Sequence, residues 1–302
     1  IIVLFDVSKL DIVITRTCQL NCAGCLTFSN HNRVKGHIEL DTAKPWLEFW
    51  ASKLKPETIH VFGGEPLMNP EFPTWVRTVA ELFRSDRCKQ INAQTNGIKI
   101  SSMDSAVLFD LIHNYNLQLS ISIHSQETWY QEKISEAVKI LETIVGPGRY
   151  EEVNGSERVY ISEDDLRNFR LVNHSVGDPN RRWVGHYNGY GKNLTPGREF
   201  EHAKHIEHHG FCEAKEYIQL YEGKLYKCPP MAILKHALEM YEYPNREQWQ
   251  PWLDYQPLAV DATDAEIAQW LAVQAGPEKY CNMCFDAEPA HVVHTLKVRE
   301  ND

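Results

Sequence analysis

Cys18, Cys22 and Cys25 stand at C-x3-C-x2-C, directly behind an apolar run at 10–15. Thiolates are the usual protein ligands of iron–sulfur clusters. Three thiolates around four irons leave one iron open, and an open iron can bind a small molecule and pass it an electron. A structural zinc site draws four ligands, commonly from two paired half-sites. His31 is close enough in sequence to complete a zinc set, so spacing alone keeps zinc as an alternative. A second group comprises Cys212, Cys228, Cys281 and Cys284; its spacing is C-x10-G-x4-C followed by a C-x2-C knuckle. Here too, spacing alone leaves zinc and a cluster both open. Cys88 stands apart, ahead of a strand and away from the expected chemistry, and reads as structural.

The background favours metal binding. Clustered cysteines in a chain of 302 residues point to ligation in a reducing, cytoplasmic setting more than to a disulfide framework. The net charge is −10 with no long basic run, so the electrostatic footprint of a nucleic-acid binder is missing. Arg181-Arg182 reads as solvated surface. No apolar run approaches the ~20 residues of a membrane span, and no signal peptide is recognisable. With 43% hydrophobic residues, the chain can enclose one large domain and a small one. His202, His205, His208 and His209 read as a solvated helix face, because no carboxylate or cysteine completes a site with them.

The elements that position the cysteines alternate. Apolar spacing predicts a helix over 42–54, capped by Asp41 or Thr42 and stopped at Pro56. A strand is expected at 58–62, a helix at 72–83, and a strand at 90–95 ending in the turn Asn96-Gly97. A helix at 105–113, a strand at 117–123 and a long helix at 127–145 follow. Such alternation argues a parallel sheet, and the repeat count favours a barrel or partial barrel. Chemistry then sits at the C-terminal ends of the strands. On the fourth strand, alternation places Ser120, Ser122 and His124 on one face, expected to point inward, and Leu119, Ile121 and Ile123 on the other. Strands five and six are expected at 158–161 and 182–187, within a loop-rich stretch from 148 to 209. Strand formers around Glu222-Gly223 read as a β-hairpin. The insert 231–280 carries helical patterns at 232–241 and 264–275, and Trp249 and Trp252 read as core. The tail 291–302 is expected to be exposed.

Phe62-Gly63-Gly64-Glu65-Pro66 follows the second strand. Together with the three-cysteine loop, and in that order, it is similar to the signature of the radical S-adenosylmethionine (radical SAM) enzymes. The resemblance implies an α/β fold, a partial (β/α)6 TIM-like barrel over 1–210 with a small auxiliary-cluster domain over 211–302. It implies a [4Fe–4S] cluster on Cys18, Cys22 and Cys25 that binds SAM through its amino and carboxylate groups. One electron then cleaves SAM to a 5′-deoxyadenosyl radical, which abstracts a substrate hydrogen. Gly24 departs from the family, which usually has an aromatic residue there; its backbone would face the adenine. Gly63, Gly64, Glu65 and Pro66 would hold the SAM amino group, and Asn96 would line the site. Ser122 would meet the carboxylate or ribose, and His124 the ribose or substrate. No segment of the Gly-x-Ile-x-Gly type marks the adenine contacts.

The second cysteine group resembles the auxiliary domains called SPASM and, in shortened form, twitch. That implies a second [4Fe–4S] cluster saturated by Cys212, Cys228, Cys281 and Cys284, with an electron-transfer role. The expected reaction is a two-electron oxidation of a small sugar- or aminocyclitol-like molecule, with this cluster as electron acceptor. Modification of a ribosomal peptide, or a redox-neutral rearrangement, are the alternatives, and a non-enzymatic zinc module is a remote one. The expected partners are the substrate and a reductant such as flavodoxin or ferredoxin; neither nucleic acid nor membrane is expected. Nothing in the sequence marks a general base.

Overall fold

A computed structural model describes residues 4–22, 24–83, 88, 90–174, 187–188, 193–197, 200 and 204–284. The first half alternates as its periodicity requires: β1 (Phe5–Thr15), α1 (Leu40–Ala51), β2 (Leu54–Gly63), α2 (Phe72–Leu82), β3 (Gln90–Thr95), α3 (Ser105–Asn114), β4 (Leu117–Ile123) and α4 (Thr128–Val145). Next come β5 (Gly148–Asn154), β6 (Glu157–Ser162), β7 (Asn168–Asn173), β8 (Tyr187–Asn188), β9 (Thr195–Pro196) and α5 (His205–Phe211). The C-terminal part holds β10 (Tyr217–Tyr221), β11 (Lys224–Tyr226), α6 (Pro229–Met240), α7 (Gln250–Leu253) and α8 (Asp264–Gln274).

Nine strands form one sheet in the order β11-β10-β1-β2-β3-β4-β7-β6-β5. Six of them, β10, β1, β2, β3, β4 and β7, run parallel. The sheet is not closed, as a partial barrel requires. The crossovers between parallel strands carry α1 to α4, which cover the face bearing Leu10, Ile12, Ile59, Val61, Ala93, Leu119 and Ile121, all fully buried. The polar positions of the same strands occupy the other face. Among the described residues, no helix is long and apolar enough to cross a membrane.

Four expectations need correction. First, α1 begins at Leu40 and ends at Ala51, and Pro56 lies inside β2. Neither Asp41 nor Thr42 caps it; Glu71 Oε2 accepts from the Leu40 amide at 3.0 Å and serves instead. Second, the strand at 158–161 exists as β6 but runs antiparallel. Its neighbours follow after a few residues, too few for a parallel crossover. β7 takes the fifth parallel place. Third, the strand expected at 182–187 lies outside the described residues apart from Tyr187, and β10 holds the sixth parallel place beside β1. Fourth, α5 is not a uniformly solvated histidine face. Ile206 is exposed and His209 is buried; His202 lies outside the described residues.

The hairpin forms as its residues dictate. Glu222 (φ 47°) and Gly223 (φ 80°) make the two-residue turn, with positive φ at both positions as a type I′ turn demands. Trp50 Nε1 donates to Gly223 O at 2.9 Å, which fixes the turn against α1. β10 thereby continues the main sheet. Trp249 and Trp252 pack together in the core.

Candidate active site

The three-cysteine loop leaves β1 at its C-terminal end, and the Gly63-Gly64-Glu65-Pro66 loop leaves β2 beside it. Backbone hydrogen bonds join them: the Gly64 amide donates to Thr15 O (2.9 Å) and the Glu65 amide to Thr17 O (2.8 Å). Both glycines are required by this closeness. A Cβ on Gly63 would lie 2.1 Å from Thr15 O, and one on Gly64 would lie 2.4 Å from Thr17 O and 2.8 Å from Ser29 Oγ. Thr15 and Thr17 hydroxyls tie the base of the loop to Gly36.

Glu65 extends the join to β3. Its carboxylate is fully buried. Oε1 accepts from Thr95 Oγ1 (2.7 Å) and the Leu67 amide (3.1 Å), and Oε2 from the Asn96 amide (2.7 Å). Burial pushes its pKa up to about 7, against those donors, which pull it down. The side chain is thus spent on structure, and what the loop offers a ligand is backbone. Asn96 turns back to the cysteines: its Nδ2 donates to Cys18 Sγ at 3.7 Å, and its Oδ1 accepts from Gln19 Nε2 at 3.1 Å. The Leu20 amide also reaches Cys18 Sγ (3.4 Å), and Thr27 Oγ1 lies 3.4 Å from Cys25 Sγ.

On β4, Ser122 is buried and accepts from Gln94 Nε2 at 2.9 Å. His124 stands just past the strand end, stacked on His174 beyond β7 at a centroid distance of 5.1 Å. Tyr130 of α4 links these strand ends. Its hydroxyl lies 2.9 Å from both Asn96 O and Ser122 O. Burial raises its pKa strongly, and the nearby Cys22, Glu65 and Cys18 raise it further. Tyr187 braces the cysteine loop on the other side: its hydroxyl lies 3.0 Å from Cys25 O and 2.9 Å from Asn30 Oδ1, and its ring stacks on Phe28. Sequence reasoning missed Tyr130, Tyr187 and His174; a lone tyrosine on an amphipathic helix carries no functional signal. Cys18, Cys22, Cys25, Gly24, Gly63, Gly64, Glu65, Pro66, Asn96, Ser122 and His124 therefore all belong to loops or strand ends at one edge of the sheet.

His31 is not placed as a ligand. It is buried among the rings of Phe28, Tyr187 and Tyr241. Among the described residues, no three His, Cys, Asp or Glu side chains gather as ligands of a single ion. A four-iron cluster makes a different demand, because its thiolates stand at separate corners. The donors around Cys18 and Cys25, and the backbone cradle at Gly63-Gly64, fit that demand.

The second cysteine group also comes together. Burial raises the Cys284 thiol well above its usual range, and Cys228, Cys212 and Cys281 each raise it further. Cys228 is likewise raised, by burial first and then by Cys212 and Cys281. It is the N-cap of α6, followed by two prolines, where the helix dipole favours a thiolate. A cluster, whose thiolates stand at separate corners, is an ordinary remedy for four neighbouring thiols, of which Cys228 and Cys281 are buried. Cys88 lies ahead of β3 at the opposite edge of the sheet, its thiol raised by burial.

The face of the sheet turned away from α1 to α4 carries a polar row. Register aligns Gln219, Asp11, His60, Asn92 and Gln118 across five adjacent parallel strands. Gln219 Nε2 donates to Asp11 Oδ2 (2.7 Å), Asp11 Oδ1 meets His60 Nδ1 (3.0 Å), and His60 Nε2 meets Asn92 Nδ2 (3.1 Å). The amide oxygens of Gln219, Asn92 and Gln118 are buried without a hydrogen-bond partner among the described residues.

No family model matches the chain. A probable GTP 3′,8-cyclase of Methanococcus aeolicus is 30% identical over 93 residues, 31% of this chain and 30% of that protein. The chain thus matches less than a third of the length of that curated relative. BtrN in complex with AdoMet and 2-DOIA is similar at 10% identity and a TM-score of 0.49, over 95% of this chain and 98% of that one. SuiB of Streptococcus suis bound to S-adenosylmethionine is similar at 14% identity and a TM-score of 0.32, over 75% and 61%. These solved structures are radical SAM enzymes. The chain resembles that family.

Proposed function

We propose that this chain is a radical SAM enzyme that oxidises a small polar molecule by two electrons. The observation that carries the reading is the backbone join between the cysteine loop and Gly64-Glu65, with Asn96 bonded to Cys18 Sγ. When bound, a [4Fe–4S] cluster on Cys18, Cys22 and Cys25 together with SAM supplies the electron and the hydrogen-abstracting radical. The chain's own residues fix where this happens. Asn96 and the Leu20 amide orient Cys18. Gly63 and Gly64, bare of side chains, would offer backbone carbonyls to the amino group of SAM. Gly24, with φ +64°, turns the loop between Cys22 and Cys25. Tyr130 holds the ends of β3 and β4 at one height, which sets Ser122 and His124 at the rim.

Cys212, Cys228, Cys281 and Cys284 would hold the auxiliary cluster, which supplies a place for the second electron. The polar row supports a small, donor-rich substrate, such as a polyol or amino sugar, over a peptide. Three buried amide oxygens without partners are costly unless a donor reaches them, and hydroxyl or amine hydrogens are such donors. A cytoplasmic one-electron donor of the flavodoxin or ferredoxin type would supply the first electron.

The test is anaerobic reconstitution of wild type and of a Cys18/Cys22/Cys25→Ala variant, with iron and sulfide assays and EPR. Wild type should hold two four-iron clusters and the variant one, and SAM should perturb only the cluster that the variant lacks. Reduced wild type should release 5′-deoxyadenosine, faster with a panel of amino sugars and cyclitols than with peptides. Zinc in place of iron, with no response to SAM, would sink the reading. Stimulation by peptides alone would move the substrate to a ribosomal peptide.

A further inference from the structure

Lys227 directly precedes Cys228, and its side chain is only 4% exposed. Its ammonium donates to the carbonyls of Gln274 and Gly276 at the C-terminal end of α8, the latter at 2.7 Å, and pairs with Glu278 Oε1 at 3.2 Å. Its backbone amide donates to Tyr255 Oη at 3.1 Å. Gln274 returns a bond from Nε2 to Tyr217 O at 3.2 Å. Two consecutive hairpin-side residues therefore have different tasks. Cys228 offers a thiol, while Lys227 grips the chain that leads into Cys281 and Cys284. Cys228 and Cys281 are far apart in sequence, and this grip draws the two halves of the site together.

A buried ammonium is costly unless its surroundings are negative. A glutamine could bond the same carbonyls without that cost, so the charge calls for a reason. The neighbours provide one. Lys227 adjoins Cys228 in the chain, and its partner Glu278 accepts from the Cys281 amide at its backbone oxygen (2.8 Å), so the ammonium is held between the two halves of the site. The Glu278 carboxylate brings the opposite charge to the same place.

We propose that Lys227 is the positioning and charge-setting residue of the auxiliary site. It clamps the Cys281–Cys284 knuckle to the hairpin and raises the reduction potential of the cluster held there. This rests on the reading that Cys212, Cys228, Cys281 and Cys284 hold an iron–sulfur cluster. A fixed positive charge stabilises the state that has gained an electron, so an acceptor beside Lys227 takes an electron more readily.

Lys227→Met, Lys227→Arg and Glu278→Gln would be reconstituted anaerobically in the full chain, and the SAM-insensitive EPR signal titrated against potential. Lys227→Met should lose the auxiliary irons, or keep them with a potential lowered by at least tenfold in the reduction equilibrium, about 59 mV for one electron. Lys227→Arg should keep both cluster and potential. Glu278→Gln should shift the potential upward, and it decides the matter if Lys227→Met does not fold. An unchanged potential in either charge variant that retains the cluster would reduce Lys227 to an ordinary helix cap. Wild type with a single cluster would instead defeat the reading on which the proposal stands.

Discussion

Glu65 sits where the two loops meet β3, and its ionisation is coupled to folding. Burial lifts its pKa from 4.5 to about 7 in the native state. The folded chain therefore keeps a proton that the unfolded chain releases earlier. The stabilisation is complete below about pH 4.5 and is lost as pH rises through 7, in total roughly 3 kcal/mol. Urea unfolding of wild type and Glu65→Gln across about pH 5 to about pH 8 isolates this contribution. The stability advantage of wild type should shrink as pH rises; a constant difference would show that Glu65 does not titrate in this range. Tyr130 makes a second expectation at this scale. Tyr130→Phe removes the one hydroxyl hydrogen that the buried Asn96 O and Ser122 O share. It should cost about 1–3 kcal/mol and weaken SAM binding to the reconstituted protein, seen as a lower urea midpoint and a higher Kd. Full SAM affinity in a destabilised variant would confine Tyr130 to the core.

Among the elements, the β10–β11 turn is the sharpest point of control. Gly223 has φ 80°, and a Cβ there would lie 3.3 Å from the Trp46 side chain. Gly223→Ala should therefore cost about 1–2 kcal/mol, measured by thermal melts of the apo chain. No loss of stability would mean that the turn relaxes into another type. This hairpin was legible in the sequence because Glu222-Gly223 lies between strand formers. β2, β3, β4 and α2 to α4 were legible for the same reason: their apolar periods are strong and local. β7 was not, since Asn168, Arg170 and Asn173 break its apolar pattern and only pairing with β4 and β6 makes it a strand. The candidate cysteine ligands were named from the sequence because C-x3-C-x2-C and C-x2-C are short-range patterns. Tyr130, Tyr187, His174 and Lys227 could not, because each gains its role from a partner distant in sequence.

At the scale of the molecule, the parallel pairing of β10 with β1 decides how the two cysteine groups relate. The loop of Cys18, Cys22 and Cys25 leaves the end of β1, and the hairpin leading to Cys228 lies along that same strand. Arg16 reinforces the link, with Nη1 donating to Tyr221 Oη at 2.7 Å and to Glu222 Oε1 at 3.1 Å. One continuous apolar cluster runs from Leu10 and Trp50 through Leu220 and Leu225 to Trp249 and Ile267. A boundary between 210 and 211 would cut through this sheet and this core. The chain should then unfold as one cooperative unit. Tryptophan fluorescence samples both parts, through Trp50 and Trp75 on one side and Trp249 and Trp252 on the other. Its urea midpoint in the apo chain should coincide with that from far-UV circular dichroism. Gly223→Ala should move the whole transition and leave no resistant fraction. Two separate transitions, with only one moved by Gly223→Ala, would mean that the auxiliary part folds on its own and that its pairing with β1 is a dockable contact.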